Sequence, residues 1–275
     1  MTARNAARVS AVARHGALAL GAAGLLAPVV LMVAASLTPS GALGAGRVLD
    51  TVTTENYALV WREQPIAMFY AHSALVAACT VLFQLAICIP AAFAMSRLRF
   101  VGRQAWSVAT TALLVVPFQV VAVPVYLLLR EVGLVDTLAA LILPFVGSAL
   151  ALVLLRQAFM TLPTEMLDAA RLDGAGTAAL LWRVVVPSSR PAIAALAVLT
   201  LTAAWNAYFW PSFVLTDASR ATVPFGLVAY LNTESGSRYG PQMAMATLSV
   251  LPLLAVFLLL QRHLVRGLTT AGQPG

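Results

Sequence analysis

Long apolar runs separated by short polar stretches make up most of the chain. Six of the runs have roughly the 20 residues that an α-helix needs to cross a bilayer. They lie at 17–37, 66–95, 106–129, 138–159, 192–215 and 243–260. Because the runs are continuous rather than alternating, they favour helices over membrane-spanning β-strands. The pattern therefore predicts an all-α membrane protein with six transmembrane helices in a single domain over residues 1–275.

Prolines interrupt most of these runs. Proline lacks a backbone N–H and clashes with the carbonyl four residues before it, so it ends or kinks a helix. In a membrane such an interruption is tolerated where neighbouring polypeptide satisfies the freed carbonyls. We expect kinks or helix ends at positions 90, 117, 124, 144, 211 and 252.

Composition strengthens the membrane assignment and excludes one activity. Hydrophobic residues make up 61% of the chain, charged residues only 10%, and the mean hydropathy is +0.89. The chain has 17 arginines and no lysine. A phosphate-binding loop of the GxxxxGK[ST] type needs its lysine to reach the β- and γ-phosphates. The chain is therefore not itself an ATPase of that class.

The arginines are unevenly distributed between the two sets of connecting segments that six spans create. Twelve lie in the set formed by the N-terminus, 96–105, 156–191 and the C-terminus, and five lie in the other set. With the acidic residues included, the first set carries a net charge of +9 and the second −2. Since basic residues accumulate on the cytoplasmic side, we expect both termini there. The formal charge of +7 then reflects membrane topology rather than nucleic-acid binding.

A cleaved signal peptide is the alternative for the first run. Arg4, Arg8 and Arg14 precede the run, and residues 42–44 resemble a cleavage site. The apolar core of a signal peptide has about 7–15 residues, whereas Ala17–Leu37 is long enough to span a bilayer. We therefore expect an uncleaved membrane anchor.

The segment 160–191 is charged and patterned, which suggests more than a connection between two spans. Thr164 is a suitable N-cap, and Glu165 would lie near the positive end of the helix dipole. Three residues at i, i+3 and i+4 spacing form a small apolar ridge edged by charge: Leu167, Ala170 and Arg171. A glycine at 174 suits the left-handed turn that ends many helices. We predict two short helices joined at this glycine, with a passive connector as the alternative.

Asp168-Ala169-Ala170 is followed after three residues by Gly174, and after nine more by an ending that includes Val184, Val186 and Pro187. This spacing resembles the signature of ABC importer permeases, which reads Glu-Ala-Ala, three residues, Gly, nine residues, Ile-x-Leu-Pro. Asp for Glu and Val for both Ile and Leu are the three departures. The resemblance implies a coupling helix that docks in a cleft on a cytoplasmic ATPase. The residues it implies for ATPase coupling are Glu165, Asp168, Ala169, Ala170, Asp173, Gly174 and Pro187.

Further segments extend the resemblance along almost the whole chain, to the carbohydrate-uptake branch and its maltose-type second permease. They are Glu55–Tyr57, Ala91–Gly102, Pro124–Thr137, Trp205–Pro211 and Gln261–Leu268. The resemblance implies a multi-pass protein of the bacterial plasma (inner) membrane. The implied partners are a second permease subunit in a heterodimer, two cytoplasmic ATP-binding subunits and an extracytoplasmic solute-binding protein. ATP and Mg are then bound by partner subunits, and no cofactor is expected on this chain.

Polar and aromatic residues inside the runs are candidates for a solute pathway. Uncompensated amides are costly in lipid, so Gln84, Gln119 and Asn206 are expected to face protein or water. Trp205 and Tyr208 flank Asn206, and their rings suit stacking on a sugar. Hydrogen bonding between helices for Asn206, and interfacial anchoring for the rings, are the structural alternatives.

Two other function classes are disfavoured. An ion-coupled carrier needs ionisable residues within its spans, but all 10 acidic residues lie outside the six runs. An intramembrane enzyme needs a nucleophile–base pair or metal ligands, yet His15, His72 and His263 show no spacing of the HExxH kind. The favoured function is translocation of a sugar or sugar-like solute, with a polyol or glycerol phosphate as the alternative cargo.

Overall fold

The computed structural model describes residues 2–44, 46–48, 50–231 and 238–270, with side chains except at 2–13, 44, 218, 229–231, 256–257 and 259–270. Every regular element in these ranges is a helix. A helix satisfies its backbone hydrogen bonds within one segment, which long apolar runs in a bilayer require. The all-α prediction is therefore confirmed for the part of the chain that the structure describes.

Fifteen α-helices are described. In chain order they are α1 (Thr2–Ser36), α2 (Ser40–Gly44), α3 (Glu55–Glu63), α4 (Ile66–Arg97), α5 (Arg103–Leu113), α6 (Phe118–Glu131), α7 (Leu138–Ile142), α8 (Ala149–Met160), α9 (Thr164–Leu172), α10 (Thr177–Ala179), α11 (Val186–Ser188), α12 (Arg190–Trp205), α13 (Phe209–Val214), α14 (Val223–Leu231) and α15 (Tyr239–Thr270). Short 3₁₀ helices lie at Leu143–Phe145 and Ala218–Arg220, and a π-helix covers Leu180–Val185. The chain forms two compact units, one of residues 1–66 and 227–252 and the other of 67–226 and 253–275.

A buried polar cluster joins α1 to α3 in the first unit. Asn56 Nδ2 donates hydrogen bonds to the carbonyls of Ser36, at 2.8 Å, and Thr38, at 2.9 Å. The hydroxyls of Ser36 and Tyr57 lie 2.6 Å apart. Gly240 approaches so closely that a Cβ there would lie 2.6 Å from Asn56 Oδ1. The amide thereby satisfies carbonyls that the end of α1 leaves without intrahelical partners.

The described residues hold between two and five candidate membrane spans. Two are single segments, Arg14–Ser36 within α1 and the whole of α4. Three are bent pairs: α5 with α6 at 104°, Leu138–Phe145 with α8 at 43°, and Thr177–Ser188 with α12 at 78°. The predicted runs at 106–129 and 138–159 are thus each interrupted, whereas the bend of the third pair, at Ser189, precedes the run 192–215. That run is interrupted further on, because α12 ends at Trp205, ten residues before the predicted end.

Each interrupted run breaks where the sequence supplies a helix stop and a new start. Pro117 is the N-cap of α6, and its missing N–H prevents α5 from continuing through it. Ser148 caps α8, and its hydroxyl accepts the Ala151 N–H at 3.3 Å. In a continuous helix Pro211 would clash with the Ala207 carbonyl, so the chain turns between α12 and α13.

Proline does not end every helix that contains it. Helix α4 continues through Pro90, α6 through Pro124 and α15 through Pro252. Pro144 lies in the 3₁₀ turn just before the break that precedes α8. The predicted sixth run, 243–260, lies within α15, several of whose side chains are outside the described set. Its assignment as a span stays a prediction.

Two apolar clusters fill the second unit. The first joins the C-terminal half of α4 to α8, α9 and the π-helix, and Phe159, Leu167 and Val185 are fully buried in it. The second joins the N-terminal half of α4 to α6, α7 and α13, and it includes Leu141 and Trp210. Because the first cluster includes residues of α9 and of the π-helix, both arms of the segment 160–191 pack against α4 and α8.

Candidate functional site

The segment 160–191 begins with α9, whose start differs from the prediction. Pro163 is the N-cap, with φ −57° and ψ 135°, and Thr164 is the first helical residue. The prediction of Thr164 as N-cap is wrong because the fixed φ of proline sets the entry to the helix. Glu165 lies in the first turn, where the helix dipole favours a negative charge.

Gly174 ends α9 in the left-handed conformation, with φ +84°. The Gly174 N–H donates to the Arg171 carbonyl and the Ala175 N–H to the Ala170 carbonyl, both at 3.0 Å. These two bonds form a Schellman motif, with Asp173 as C-cap, which pairs the last carbonyls of the helix. The chain then returns through α10, the π-helix and α11, giving the predicted pair of helical segments joined at a glycine.

Helix α9 has a buried face and an exposed face. Leu167 is 1% exposed and packs in the first apolar cluster, with Ala170 partly buried beside it. Asp168 and Ala169 are exposed, and Leu172 is 89% exposed. The predicted apolar ridge thus faces the interior of this chain, because Leu167 completes the core that α4 and α8 begin. The surface left for a partner is acidic, with one large apolar side chain.

The predicted coupling residues differ in their exposure. Asp168 forms an ion pair with Arg171 at 2.9 Å, and both side chains are about half exposed. Pairs at this spacing on an exposed helix contribute about 0.2–0.5 kcal/mol, so the carboxylate remains available to another cation. Glu165 and Asp173 are also exposed, whereas Pro187, in α11, is half-buried.

A π-helix in the returning arm is a feature that the sequence reasoning missed. It covers Leu180–Val185, and its buried residues are Leu180, Leu181 and Val185. That spacing fits one face of an α-helix as well as one face of a π-helix, so the apolar pattern carried no signal for the wider turn. The exposed Trp182 lies on the opposite face.

Arg97 lies in the last turn of α4. The sequence predicted only that it contributes to the charge distribution that sets the membrane topology, and not that it contacts other segments. Its Nη2 donates to the carbonyls of Phe159 (2.6 Å), Met160 (3.3 Å) and Leu162 (2.6 Å), and its Nε donates to Phe159 (3.1 Å). These carbonyls lie at the end of α8 and immediately before α9. The guanidinium therefore ties α4 to the base of α9.

A cavity of about 520 Å³ lies within the second unit. Gln84 is the one predicted pathway residue in its wall. Its Nε2 donates to the Phe145 carbonyl at 3.0 Å, and its Oε1 accepts the Thr200 hydroxyl. The amide therefore faces protein, as expected, through hydrogen bonds to two neighbouring segments, and it lines the cavity as well. Trp210, also in the wall, donates from Nε1 to the Ala140 carbonyl at 2.9 Å.

The other predicted pathway residues lie outside the cavity wall. Gln119 is exposed on α6, and Asn206 is the exposed C-cap of α12. Trp205 is buried, with its ring centroid 6.2 Å from that of Tyr70. Tyr208 is 41% exposed. The structure therefore does not bring these four residues together with Gln84 in one pocket.

An acidic residue links two loops of the second unit. Asp136 has a left-handed backbone, with φ 62°, and its Oδ1 accepts the N–H groups of Thr216 (3.0 Å) and Asp217 (3.2 Å). These backbone hydrogen bonds hold the pKa of Asp136 below its ordinary value, and Arg220, 3.7 Å away, acts in the same direction. The carboxylate thus stays ionised and fixes the loop after α13 to the loop after α6.

Comparison with known proteins identifies the family to which the sequence is similar. Residues 84–270 match the family described as "Binding-protein-dependent transport system inner membrane component". The chain is 29% identical over 254 residues to the arabinooligosaccharides transport system permease protein AraQ of Halalkalibacterium halodurans, covering 90% of this chain and 91% of that protein. It is 33% identical over 264 residues to the sn-glycerol-3-phosphate transport system permease protein UgpE of Yersinia pestis, covering 92% and 94%.

A crystal structure of a bacterial ABC transporter involved in the import of the acidic polysaccharide alginate contains a chain of the same fold. The TM-score is 0.80 at 23% identity, over 93% of this chain and 96% of that chain. The family match includes α9, the Gly174 reversal and the wall residue Gln84. The chain belongs to the binding-protein-dependent inner membrane components, and it is a non-catalytic, multi-pass permease subunit of an ABC importer.

Proposed function

We propose that this chain and a second permease subunit form the pathway by which a sugar or sugar-like solute enters the bacterial cytoplasm. An extracytoplasmic binding protein delivers the solute, and two cytoplasmic ATP-binding subunits supply the energy. Relatives named for arabinooligosaccharide and sn-glycerol-3-phosphate transport support this class of cargo, with a polyol or glycerol phosphate as the alternative. With six spans, α15 being the sixth, both termini and the segment 160–191 lie on one side, and the charge distribution of +9 against −2 favours the cytoplasm for that side.

The two faces of α9 are the observation that carries the proposal. Leu167 fixes one face to α4 and α8 through a shared apolar cluster. The other face presents Asp168 and the small Ala169, which allows a partner helix or strand to approach closely. A displacement of a partner docked on this face is then transmitted to the spans, because packed cores move as units rather than deforming locally. The acidic surface favours a basic cleft and sets the register of docking.

Charge reversal on the docking face tests the proposal. Asp168→Lys places a cation against the basic cleft, so we expect loss of solute uptake and of ATP hydrolysis stimulated by the loaded binding protein. The same change also breaks the ion pair with Arg171. Arg171→Ala removes that pair without reversing the charge at 168, and it is therefore the matched control. Uptake and hydrolysis are measured on one preparation of vesicles that contain the purified complex.

The two variants separate docking from helix stability. Since an exposed pair contributes about 0.2–0.5 kcal/mol, Arg171→Ala is expected to transport at nearly the wild-type rate. Equal losses in the two variants would trace the effect to the ion pair within α9. Near wild-type transport by Asp168→Lys would show that α9 is a passive connector.

A further inference from the structure

The cavity in the second unit lies where all three interrupted runs meet. Its wall includes Leu114 and Val116 from the break after α5, Gly147 and Ser148 from the break before α8, and Ala207 from the break after α12. A helix end leaves backbone N–H and carbonyl groups without intrahelical partners. In a membrane such backbone is tolerated only where protein or a hydrated cavity satisfies it. Three breaks at one cavity therefore mark a polar position inside an otherwise apolar region.

Two threonine hydroxyls in the wall have no hydrogen-bond partner among the described residues. Thr80, in α4, is 3% exposed, and Thr222, just before α14, is 4% exposed. The Oγ1 atom of each is buried and unpaired. Thr110 shows the usual alternative, because its hydroxyl donates to the Trp106 carbonyl of its own helix at 2.7 Å. A buried, unpaired hydroxyl is unfavourable unless another group binds it. Each Oγ1 lies beneath the surface of the wall, so a solute in the cavity reaches it only after rotation about Cα–Cβ.

Amide and aromatic groups complete the wall. Gln84 binds Thr200 and the Phe145 carbonyl, and its amide retains one N–H and one lone pair for a further partner. The ring of Phe118 lies 4.8 Å from that of Phe145 and 5.1 Å from that of Trp210, measured between centroids. All three rings line the cavity. Hydrogen-bonding groups beside aromatic rings suit a solute that has both hydroxyls and C–H faces.

Every described residue that lines the cavity is uncharged. A phosphate or carboxylate would therefore find no cationic partner in this wall, and burying an unpaired charge is strongly unfavourable. The volume, about 520 Å³, is within the range of small-molecule sites. We infer that this cavity binds an uncharged polyhydroxylated solute during translocation, with Thr80, Gln84 and Thr222 as its hydrogen-bonding groups. This rests on the proposed function and narrows its solute class to uncharged sugars or polyols.

Isosteric removal of the two hydroxyls tests the inference. The complete complex in liposomes is supplied separately with arabinotriose, maltotriose, glycerol and sn-glycerol 3-phosphate as probes. We expect import of an uncharged probe, reduced about fivefold at subsaturating concentration by Thr80→Val and by Thr222→Val, as the loss of one neutral hydrogen bond predicts. Thr110→Val makes the same change outside the cavity and should import at the wild-type rate. Valine leaves no unpaired hydroxyl, so a folding defect is not expected at either cavity position.

The outcomes separate this inference from the proposed function. Rates for Thr80→Val and Thr222→Val equal to that of Thr110→Val would overturn the cavity as a solute site. Import of sn-glycerol 3-phosphate alone would overturn the uncharged solute class. Both results leave the ABC importer intact, because binding-protein-stimulated hydrolysis persists in each. A wild-type complex that imports none of the four probes, and whose ATP hydrolysis no loaded binding protein stimulates, would instead contradict the proposed function on which the inference rests.

Discussion

At the scale of single residues, Gly174 gives the sharpest test of the turn after α9. Its φ of +84° is a conformation that costs a residue with a Cβ about 1–2 kcal/mol. Gly174→Val should therefore insert in the membrane but misdirect α9, with loss of uptake and of stimulated ATP hydrolysis in reconstituted vesicles. Gly176→Ala is the control, because φ at 176 is −70° and the space around both glycines is open. Equal activity of the two variants would show that the left-handed turn does not matter for coupling.

Single residues also show what a sequence can reveal. Gly174 was identifiable because the turn needs one particular residue at a fixed distance from the acidic residue Asp168. The contacts of Arg97 were not identifiable, because its carbonyl partners lie 62–65 positions away along the chain. In the sequence, Arg97 is simply a charged residue at the end of a predicted span. Thr80 gave no signal either, since a helical threonine ordinarily satisfies its hydroxyl within its own helix. Gln84 was visible because an amide in an apolar run always needs a partner.

At the scale of helices, the hydrogen bonds that Arg97 donates to the end of α8 and to the turn before α9 predict that α4 and α9 move as one unit. Arg97→Lys keeps the charge but replaces a planar group of several donors by one that cannot span the same three carbonyls. Hydrogen bonds from a charged group contribute about 1.5–3 kcal/mol each, so α9 should loosen from α4. We expect a several-fold fall in solute imported per ATP hydrolysed, with copurification of the ATP-binding subunits unchanged. Arg103→Lys is the control, since Arg103 makes one such bond, to the Leu98 carbonyl at 3.2 Å. A wild-type ratio in Arg97→Lys, or loss of the copurifying subunits, would contradict this role.

The helices themselves could be predicted far better than their interruptions. The length of an apolar run identifies a membrane segment whether or not its helix is continuous. This is because hydropathy depends on whether the side chains lie in lipid, and not on the path of the backbone. Pro117 and Pro211 accompany breaks, yet α4 continues through Pro90. The difference depends on whether neighbouring segments satisfy the freed backbone groups, which a linear pattern does not encode. The cavity was unpredictable for the same reason, since it forms where the interruptions of three predicted runs converge.

At the scale of the whole molecule, the number of crossings decides which loops share a side. Helices α1 and α4 and the three bent pairs give five crossings if each pair spans the membrane, and α15 would supply the sixth. A bent pair that instead enters and leaves on one side would move every later segment to the opposite side. The charge bias of +9 against −2, obtained when six segments cross, favours a topology in which all three pairs cross. Positions after the bent pairs therefore test the topology and the orientation together.

Cysteine labelling at positions 175 and 236 provides that test. In a chain whose Cys79 and Cys88 are replaced, Ala175→Cys follows four predicted crossings and Gly236→Cys follows five. Gly236 lies outside the residues that the structure describes, so its side is predicted from the sequence alone. With the N-terminus in the cytoplasm, a membrane-impermeant maleimide added to intact spheroplasts should label position 236 and not position 175. Permeabilised spheroplasts should label both, which controls for local burial at 175. Labelling of 175 from outside would place α9 away from any cytoplasmic ATPase, because one bent pair would then fail to cross or the charge bias would have been misread.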